Sequence, residues 1–140
     1  MAGPDEERTR RRVHVRWRDL DTLGHLNSSV YHEYLEEGRG ALVAGLGDDP
    51  ADPFPWVLAH IELDYRHEVR REHGYVEIVT GVERVGSKSV TTTQRVLLPD
   101  GTVAAEGRAI IVAWDGRARG SRPLGERERA VLGGLAAADG

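Results

Sequence analysis

The sequence predicts an α+β domain in which one long amphipathic helix packs against an antiparallel sheet. Apolar residues recur at spacings of three and four in a single stretch, and they alternate with polar residues in five others. Short segments of turn-forming residues connect the last strands. An apolar helix face and an apolar sheet face bury each other by packing together, so the 140 residues fit one domain with one core.

The first strand is predicted from the alternation that begins at Val13. Val13, Val15 and Trp17 share one side, and the charged residues between them share the other. This pattern is typical of a half-buried strand. The strand is expected to end in the polar, glycine-containing loop Asp19–Gly24. Residues 1–11, which are charged and show no periodicity, are predicted to be a tail.

The long helix is predicted from about Ser28 to Leu46. Its apolar stripe consists of Tyr31, Tyr34, Leu35, Gly38, Ala41, Leu42 and Gly45, and the remaining surface is assigned to Glu33, Glu36, Glu37 and Arg39. Ser28 or Ser29 is expected to cap the first turn. Because glycine lowers helix propensity, the glycines of the stripe predict a close approach of another backbone.

The four later strands are predicted at 57–66, 75–84, 88–98 and 102–114, after a proline- and aspartate-rich connection from Asp48 to Pro55. A short alanine-rich helix is predicted at 124–138. The resulting organisation is a tail (1–11), one folded domain (12–116) and a C-terminal segment with a short helix (117–140).

Composition excludes several classes of function. The chain has no cysteine, which rules out disulfides, thiolate metal sites and a cysteine nucleophile. A net charge of −4 and a pI near 5.9 disfavour bulk nucleic-acid binding. No apolar segment of the length of a signal peptide or of a membrane span is present. These features predict a cytoplasmic protein that binds neither nucleic acid nor membrane.

The segment from Arg16 to Tyr31 reads R-W-R-D-L-D-T-L-G-H-L-N-S-S-V-Y, and Tyr34-Leu35-Glu36 and Arg39 follow it. It resembles the opening motif of the hotdog-fold acyl-CoA thioesterases related to 4-hydroxybenzoyl-CoA thioesterase, whose usual form is aromatic-x-D-x-D-x-x-G-H-V-N-N-x-x-Y-x-x-Y-L-E-x-x-R. Ile61–Tyr65, Gly86–Val90 and Ala105–Arg108 also resemble later strands and hairpins of that family.

The resemblance implies a hotdog fold, in which a five-stranded antiparallel sheet wraps a long central helix. It implies a thioesterase that hydrolyses an acyl-CoA or acyl-carrier-protein thioester with water, and that needs no metal or organic cofactor. It also implies a homodimer or homotetramer.

Asp21 is the predicted catalytic residue, as general base or as nucleophile. Without cysteine or a Ser-His elbow motif, a carboxylate is the natural group to activate water or attack the thioester. Asp21 shares the parity of Val13, Val15 and Trp17, so its side chain is expected to face the core and to be partly desolvated. The family motif places the catalytic acid at this position. The alternative is an aspartate that only shapes the loop.

The start of the helix is the predicted oxyanion site. Free backbone N–H groups in a first helical turn attract negative charge, and the candidates are Ser28, Ser29, Val30 and Tyr31. Asn27 is expected to orient the loop or a water, or to be a simple cap. His25 is expected to bond the substrate carbonyl or steady Asp21, or to be a structural turn residue. Tyr31 and Tyr34 also fit a packing role.

A metal site is not predicted, since no second histidine stands at ligand spacing from His25. Candidates for binding the phosphates of coenzyme A are the cations Arg66, Arg70, Arg71, Arg84 and Lys88, each of which also fits a solvated surface charge.

Two positions depart from the family pattern. Ser28 replaces the second asparagine of the usual pair, at the entrance of the helix. The segment Glu68–Gly74 replaces a proline and a Gly-Asp pair, and this change is expected only to reshape a loop.

Two other functions fit the same fold. One is an enoyl-thioester hydratase or dehydratase, although the spacing from Asp21 to His25 is one residue shorter than the run usual in those enzymes. The other is a non-catalytic acyl-thioester-binding module. Loss of the conjugated enoyl absorbance, release of free thiol, or binding without product would separate the three.

Overall fold

The computed structural model describes residues 9–46 and 54–139, with side chains up to residue 137. The elements in chain order are β1 (Arg10–His14), a 3-10 turn (Trp17–Asp19), α1 (Val30–Val43), β2 (Trp56–Tyr65), a second 3-10 turn (Arg71–His73), β3 (Tyr75–Val85), β4 (Ser89–Leu97), β5 (Val103–Asp115), β6 (Gly120–Ser121) and α2 (Glu126–Asp139). This content confirms the α+β prediction, and no helix of the described residues is long and apolar enough to cross a membrane.

The strands pair in the order β1-β3-β4-β5-β2, and β6 pairs with β5. β1 and β3 run antiparallel, with Val13 opposite Val76. The prediction of five strands missed β6, because two residues are too few to show periodicity. β2 ends the strand order, so one long edge of this strand has no neighbour among the described residues.

The first strand differs from the prediction at both of its ends. It begins at Arg10, inside the segment expected to be a tail, whose residues 1–8 lie outside the described part. The expected alternation up to Arg18 was wrong, because the chain turns into the 3-10 turn at Trp17. Val15 is buried, whereas Trp17 is 73% exposed. Of the predicted connection Asp48–Pro55, residues 48–53 also lie outside the described part.

The described residues form two compact units, each with its own buried side chains. The first unit contains the residues up to Leu42, Leu63–Thr80 and Gln94–Gly107. The second contains the described residues of Val43–Glu62 and Gly81–Thr93, and the chain from Arg108 onward. All the sequence-predicted catalytic and oxyanion residues belong to the first unit.

The apolar stripe of α1 is buried as predicted, but the helix is shorter than the predicted Ser28–Leu46. Tyr31, Tyr34, Leu35 and Leu42 are each at most 4% exposed. Gly45 lies just beyond the helix with a φ of +80°, which suits a glycine after a helix end.

Arg39, expected on the outer surface of α1, is instead buried at 3% exposure. Its Nη1 donates to Gln94 Oε1 at 2.8 Å. Gln94 Nε2 in turn donates to the Leu35 carbonyl at 2.9 Å and lies 3.0 Å from Thr80 Oγ1. Burial lowers the pKa of Arg39, and the nearby charge of Glu36 opposes that effect. A polar network therefore joins α1 to β3 and β4.

Gly38 lies where α1 comes closest to those strands. A Cβ at this position would lie 2.5 Å from Ile78 Cγ2, 2.8 Å from Thr80 Oγ1 and 3.0 Å from Gln94 Nε2. The predicted approach of another backbone was wrong: side chains come close at Gly38, and a Cβ at Gly45 would meet nothing within 4 Å.

In the second unit, α2 is fastened at its start by Glu128. This carboxylate accepts from both terminal nitrogens of Arg122 at 2.9 Å and from the Gly125 backbone N–H at 2.6 Å. These bonds lower the pKa of Glu128, the Arg122 hydrogen bond being the largest influence.

We predict that Gly38→Ala destabilises the protein by about 1–3 kcal/mol, because the new methyl group must displace packed side chains. Gly40→Ala is the matched control, since a Cβ there meets nothing within 4 Å. That variant should gain up to about 1 kcal/mol from helix propensity. Urea unfolding measures both values, and an equal gain in the two variants would contradict the packing at Gly38.

Candidate active site

An open cleft of about 410 Å³ lies in the first unit. Its lining comes from two stretches of chain, the loop that leads into α1 and the segment that follows β2. The lining residues are Asp21, His25, Leu26, Asn27, Ser28, Tyr31, Tyr65, Arg66, His67 and Glu68. Five of the seven sequence-predicted site residues are therefore brought together, and Ser29 and Val30 do not line the cleft.

The loop between Asp19 and Asn27 folds back on itself as a small closed hairpin. Leu20 and Leu26 pair as an antiparallel bridge, and the Asn27 N–H donates to the Asp19 carbonyl at 2.9 Å. At its tip, Gly24 adopts a φ of +79°, a conformation that favours glycine. These backbone contacts fix the conformation of the loop and therefore the positions of its side chains.

Asp21 is held by the hairpin through one carboxylate oxygen. Its Oδ1 accepts from the backbone N–H groups of Leu23 at 2.9 Å and His25 at 3.1 Å. No hydrogen bond within the described residues engages Oδ2. The side chain is exposed, so the expectation that Asp21 faces the core was wrong. The parity argument failed because the 3-10 turn at Trp17–Asp19 interrupts the strand.

Asp19 is the buried carboxylate of this region, and no pattern in the sequence indicated its role. It is 2% exposed, and its Oδ2 accepts from the Tyr34 hydroxyl at 2.5 Å and from Arg16 N and Nε at 3.1 and 3.0 Å. Burial, the largest influence, raises the pKa of Asp19. The hydrogen bonds from Arg16 and Tyr34 outweigh it and leave the pKa below its usual value. Asp19 is therefore ionised at neutral pH and anchors the loop to α1.

The start of α1 is capped by Asn27, and not by Ser28 or Ser29 as expected. Asn27 Oδ1 accepts from the Ser29 N–H at 3.1 Å and lies 3.0 Å from the Ser29 hydroxyl. The Val30 N–H donates to the Asn27 carbonyl at 2.9 Å. The expectation of free N–H groups at Ser29 and Val30 was therefore wrong. The Ser28 N–H makes no hydrogen bond within the described part of the chain.

Two tyrosines that line the cleft contact each other beside the start of the helix. Tyr31 is buried, and its ring packs edge-on against Tyr65 with a centroid distance of 5.0 Å. The Tyr65 hydroxyl donates to the Ser28 carbonyl at 3.2 Å. Burial, with smaller contributions from Tyr65 and Glu68, raises the pKa of Tyr31 to about 12, so its phenol is neutral at physiological pH.

The main chain of His25 contacts Asp21, whereas its side chain contacts Glu68. Its backbone N–H steadies Asp21 Oδ1, and its carbonyl accepts from the Asp21 N–H at 2.8 Å. The imidazole Nε2 points elsewhere and lies 2.5 Å from Glu68 Oε2. The expected link between His25 and Asp21 is therefore made by the backbone.

The five cations proposed for coenzyme A phosphates lie in different places. Arg66 lines the cleft and is paired with Asp64 at 3.5 Å and Glu106 at 3.3 Å. Arg70 is paired with Glu68, and Arg71 is exposed in the second 3-10 turn. Arg84 and Lys88 line a separate cavity of about 440 Å³ in the second unit.

In the described part of the chain, no group of three or more histidine, aspartate or glutamate side chains is arranged to hold an ion. The cleft combines a carboxylate oxygen and a backbone amide that make no hydrogen bond to any described residue. A carboxylate can accept a proton from water, and an amide can stabilise a developing oxyanion. This combination suits hydrolysis of an acyl group.

Comparison with known proteins connects this site to one family. Residues 15–131 match the model of the thioesterase-like superfamily, which is most of the chain. The long-chain acyl-CoA thioesterase FadM of Escherichia coli K12 is 29% identical over 112 residues, which cover 74% of this chain and 80% of FadM.

Solved structures agree with the sequence matches. A predicted thioesterase from Bacillus stearothermophilus has a TM-score of 0.81 at 25% identity, covering 91% of this chain and 95% of its own. A thioesterase from Thermus thermophilus, solved with coenzyme A and zinc, has a TM-score of 0.77 at 31% identity, covering 90% and 95%. The chain belongs to the thioesterase-like superfamily and is a thioesterase of the hotdog fold.

Proposed function

We propose that the protein hydrolyses acyl-CoA thioesters in the cleft, with Asp21 as the general base. The observation that carries this proposal is the presence of Asp21 and Ser28 in one cleft, the first with an open carboxylate oxygen and the second with an open N–H. Coenzyme A as the carrier is supported by the relatives, because FadM is a long-chain acyl-CoA thioesterase and the Thermus protein was solved with coenzyme A.

In the proposed reaction, Asp21 Oδ2 takes a proton from a water that attacks the thioester carbonyl carbon. The carbonyl π electrons move to its oxygen, and the Ser28 N–H stabilises that oxyanion. When the tetrahedral intermediate collapses, the carbon–sulfur bond breaks, and the leaving sulfur takes the proton from Asp21. The products are the free acid and coenzyme A thiol. Since the Asp21 side chain is exposed, water reaches it without a conformational change.

The neighbouring residues have supporting roles in this proposal. Asn27 caps α1, and the cap fixes the turn that carries the Ser28 amide. The rings of Tyr31 and Tyr65 form the apolar inner wall against which an acyl group packs. Ser29 and Val30, whose N–H groups are engaged by Asn27, shape the turn and do not contact the substrate oxygen.

The proposed assembly is a homodimer, or a homotetramer built from it, in which β2 pairs with a second copy. β2 has ten residues, ends the strand order and exposes Leu58 at 43% and Tyr65 at 50%. A long edge strand with exposed apolar side chains tends to recruit another strand.

We predict a solution mass of twice or four times 15.4 kDa in multi-angle light scattering at micromolar concentration. A mass of one chain across that concentration range would contradict pairing through β2.

We predict that Asp21→Asn lowers kcat by about 10²- to 10⁴-fold, because the amide cannot take the proton from water. The asparagine Oδ1 can still accept from the Leu23 and His25 amides, so the melting temperature should change little. Release of thiol from a panel of acyl-CoA chain lengths measures the rate.

The matched control is Asp100→Asn, which changes an exposed carboxylate that accepts the Thr102 N–H at 2.9 Å, does not line the cleft and should keep full activity. Near-normal turnover by Asp21→Asn would remove the proposed base. Single turnover in ¹⁸O-labelled water should place the label in the released acid, whereas label in Asp21 would identify that carboxylate as a nucleophile.

A further inference from the structure

We propose that Glu68 is a positioning residue that fixes the orientation and tautomer of the His25 imidazole in the cleft. The proposal rests on the proposed thioesterase site, because it concerns which imidazole nitrogen of His25 is available in the cleft. Glu68 Oε2 lies 2.5 Å from His25 Nε2, and both side chains line the cleft together with Asp21.

Main-chain hydrogen bonds bring the segments of His25 and Glu68 together. His25 pairs with Arg70 as an antiparallel bridge, and the Leu26 N–H donates to the Val69 carbonyl at 2.7 Å. Glu68 immediately precedes the paired residues, so its side chain is brought to His25 by main-chain hydrogen bonds. The contact is therefore more than an encounter between two surface side chains.

The carboxylate is also held from its other side. Arg70 Nε lies 3.5 Å from Glu68 Oε1, while Oε2 faces the imidazole. An arginine beside one oxygen limits the rotation of the carboxylate.

An ionised carboxylate can only accept a hydrogen bond, so the proton of a neutral His25 must reside on Nε2. Nδ1 is then an acceptor, and no hydrogen bond within the described residues engages it. A carboxylate that selects a histidine tautomer through one nitrogen determines what the other nitrogen can do. In this arrangement Nδ1 is left to accept a hydrogen bond from a water in the cleft.

Glu68 belongs to the segment where the sequence departs from the family pattern. That departure was expected only to reshape a loop, and here it supplies the partner of His25. A purely stabilising role is a poor explanation of the pair. Both side chains are 37% exposed, and exposed ion pairs contribute little to folding.

The kinetic test is a double-mutant cycle between Glu68→Gln and His25→Ala. Glu68→Gln should lower kcat by about 10- to 100-fold with little change in KM, and Glu68→Asp should restore part of the loss. In the His25→Ala background, the same Glu68→Gln change should cost less than about 2-fold, because the residue it positions is already gone.

The control is Glu72→Gln, which removes an exposed carboxylate 4.0 Å from Arg70 on the same segment. It should leave kcat, KM and the melting temperature unchanged. An equal loss from Glu68→Gln with and without His25, or the same loss from Glu72→Gln, would overturn the positioning role.

A readout that does not depend on turnover separates this proposal from the proposed function. Nitrogen-15 shifts of the His25 ring in alkaline buffer, assigned with the His25→Ala variant, should report a proton on Nε2. Glu68→Gln should shift that tautomer population, and an unchanged tautomer would refute the pairing. If Asp21→Asn retained activity while the tautomer shifted, the pairing would stand and the hydrolytic mechanism would fall.

Discussion

The Asp19 carboxylate lies buried between the turn that ends β1 and the helix α1, and it accepts hydrogen bonds from both. Removing such a group from water costs free energy unless its lone pairs are satisfied, and Arg16 and Tyr34 satisfy them here. The Asp19 carbonyl also accepts from the Asn27 N–H, so the same residue closes the hairpin between Asp19 and Asn27. The placement of Asp21 beside the start of α1 depends on this anchor.

Two carboxylates two residues apart thus have different environments and different roles. Asp19 is buried, bound by three donor atoms and kept ionised by them. Asp21 is exposed, and backbone amides occupy only one of its oxygens. The first suits the structure of the loop and the second suits chemistry, because a group with an open oxygen can receive a proton. The backbone hydrogen bonds of the hairpin connect the buried Asp19 to Asp21 and so hold Asp21 at the cleft.

The sequence predicted the helix stripe, most strands and the segment that forms the candidate site, because periodicity and the glycine-containing loop are local signals. It failed at Trp17 and Asp21, because a 3-10 turn interrupts the strand and leaves exposed two side chains that the alternation predicted to be buried. It also missed Tyr65 and Glu68, which reach the cleft from a distant segment. The only indication that Tyr65 belongs to the site was that it is an aromatic residue at the end of a predicted strand. Glu68 carried none, since only the pairing of His25 with Arg70 brings it close.

The most direct test of the proposed site is a crystal structure with an acyl-CoA analogue in which a methylene group replaces the thioester sulfur. The analogue's carbonyl oxygen should lie within hydrogen-bonding distance of the Ser28 N–H, with a water between its carbonyl carbon and Asp21 Oδ2. A carbonyl bound outside the cleft, or turned away from both groups, would contradict the proposed site.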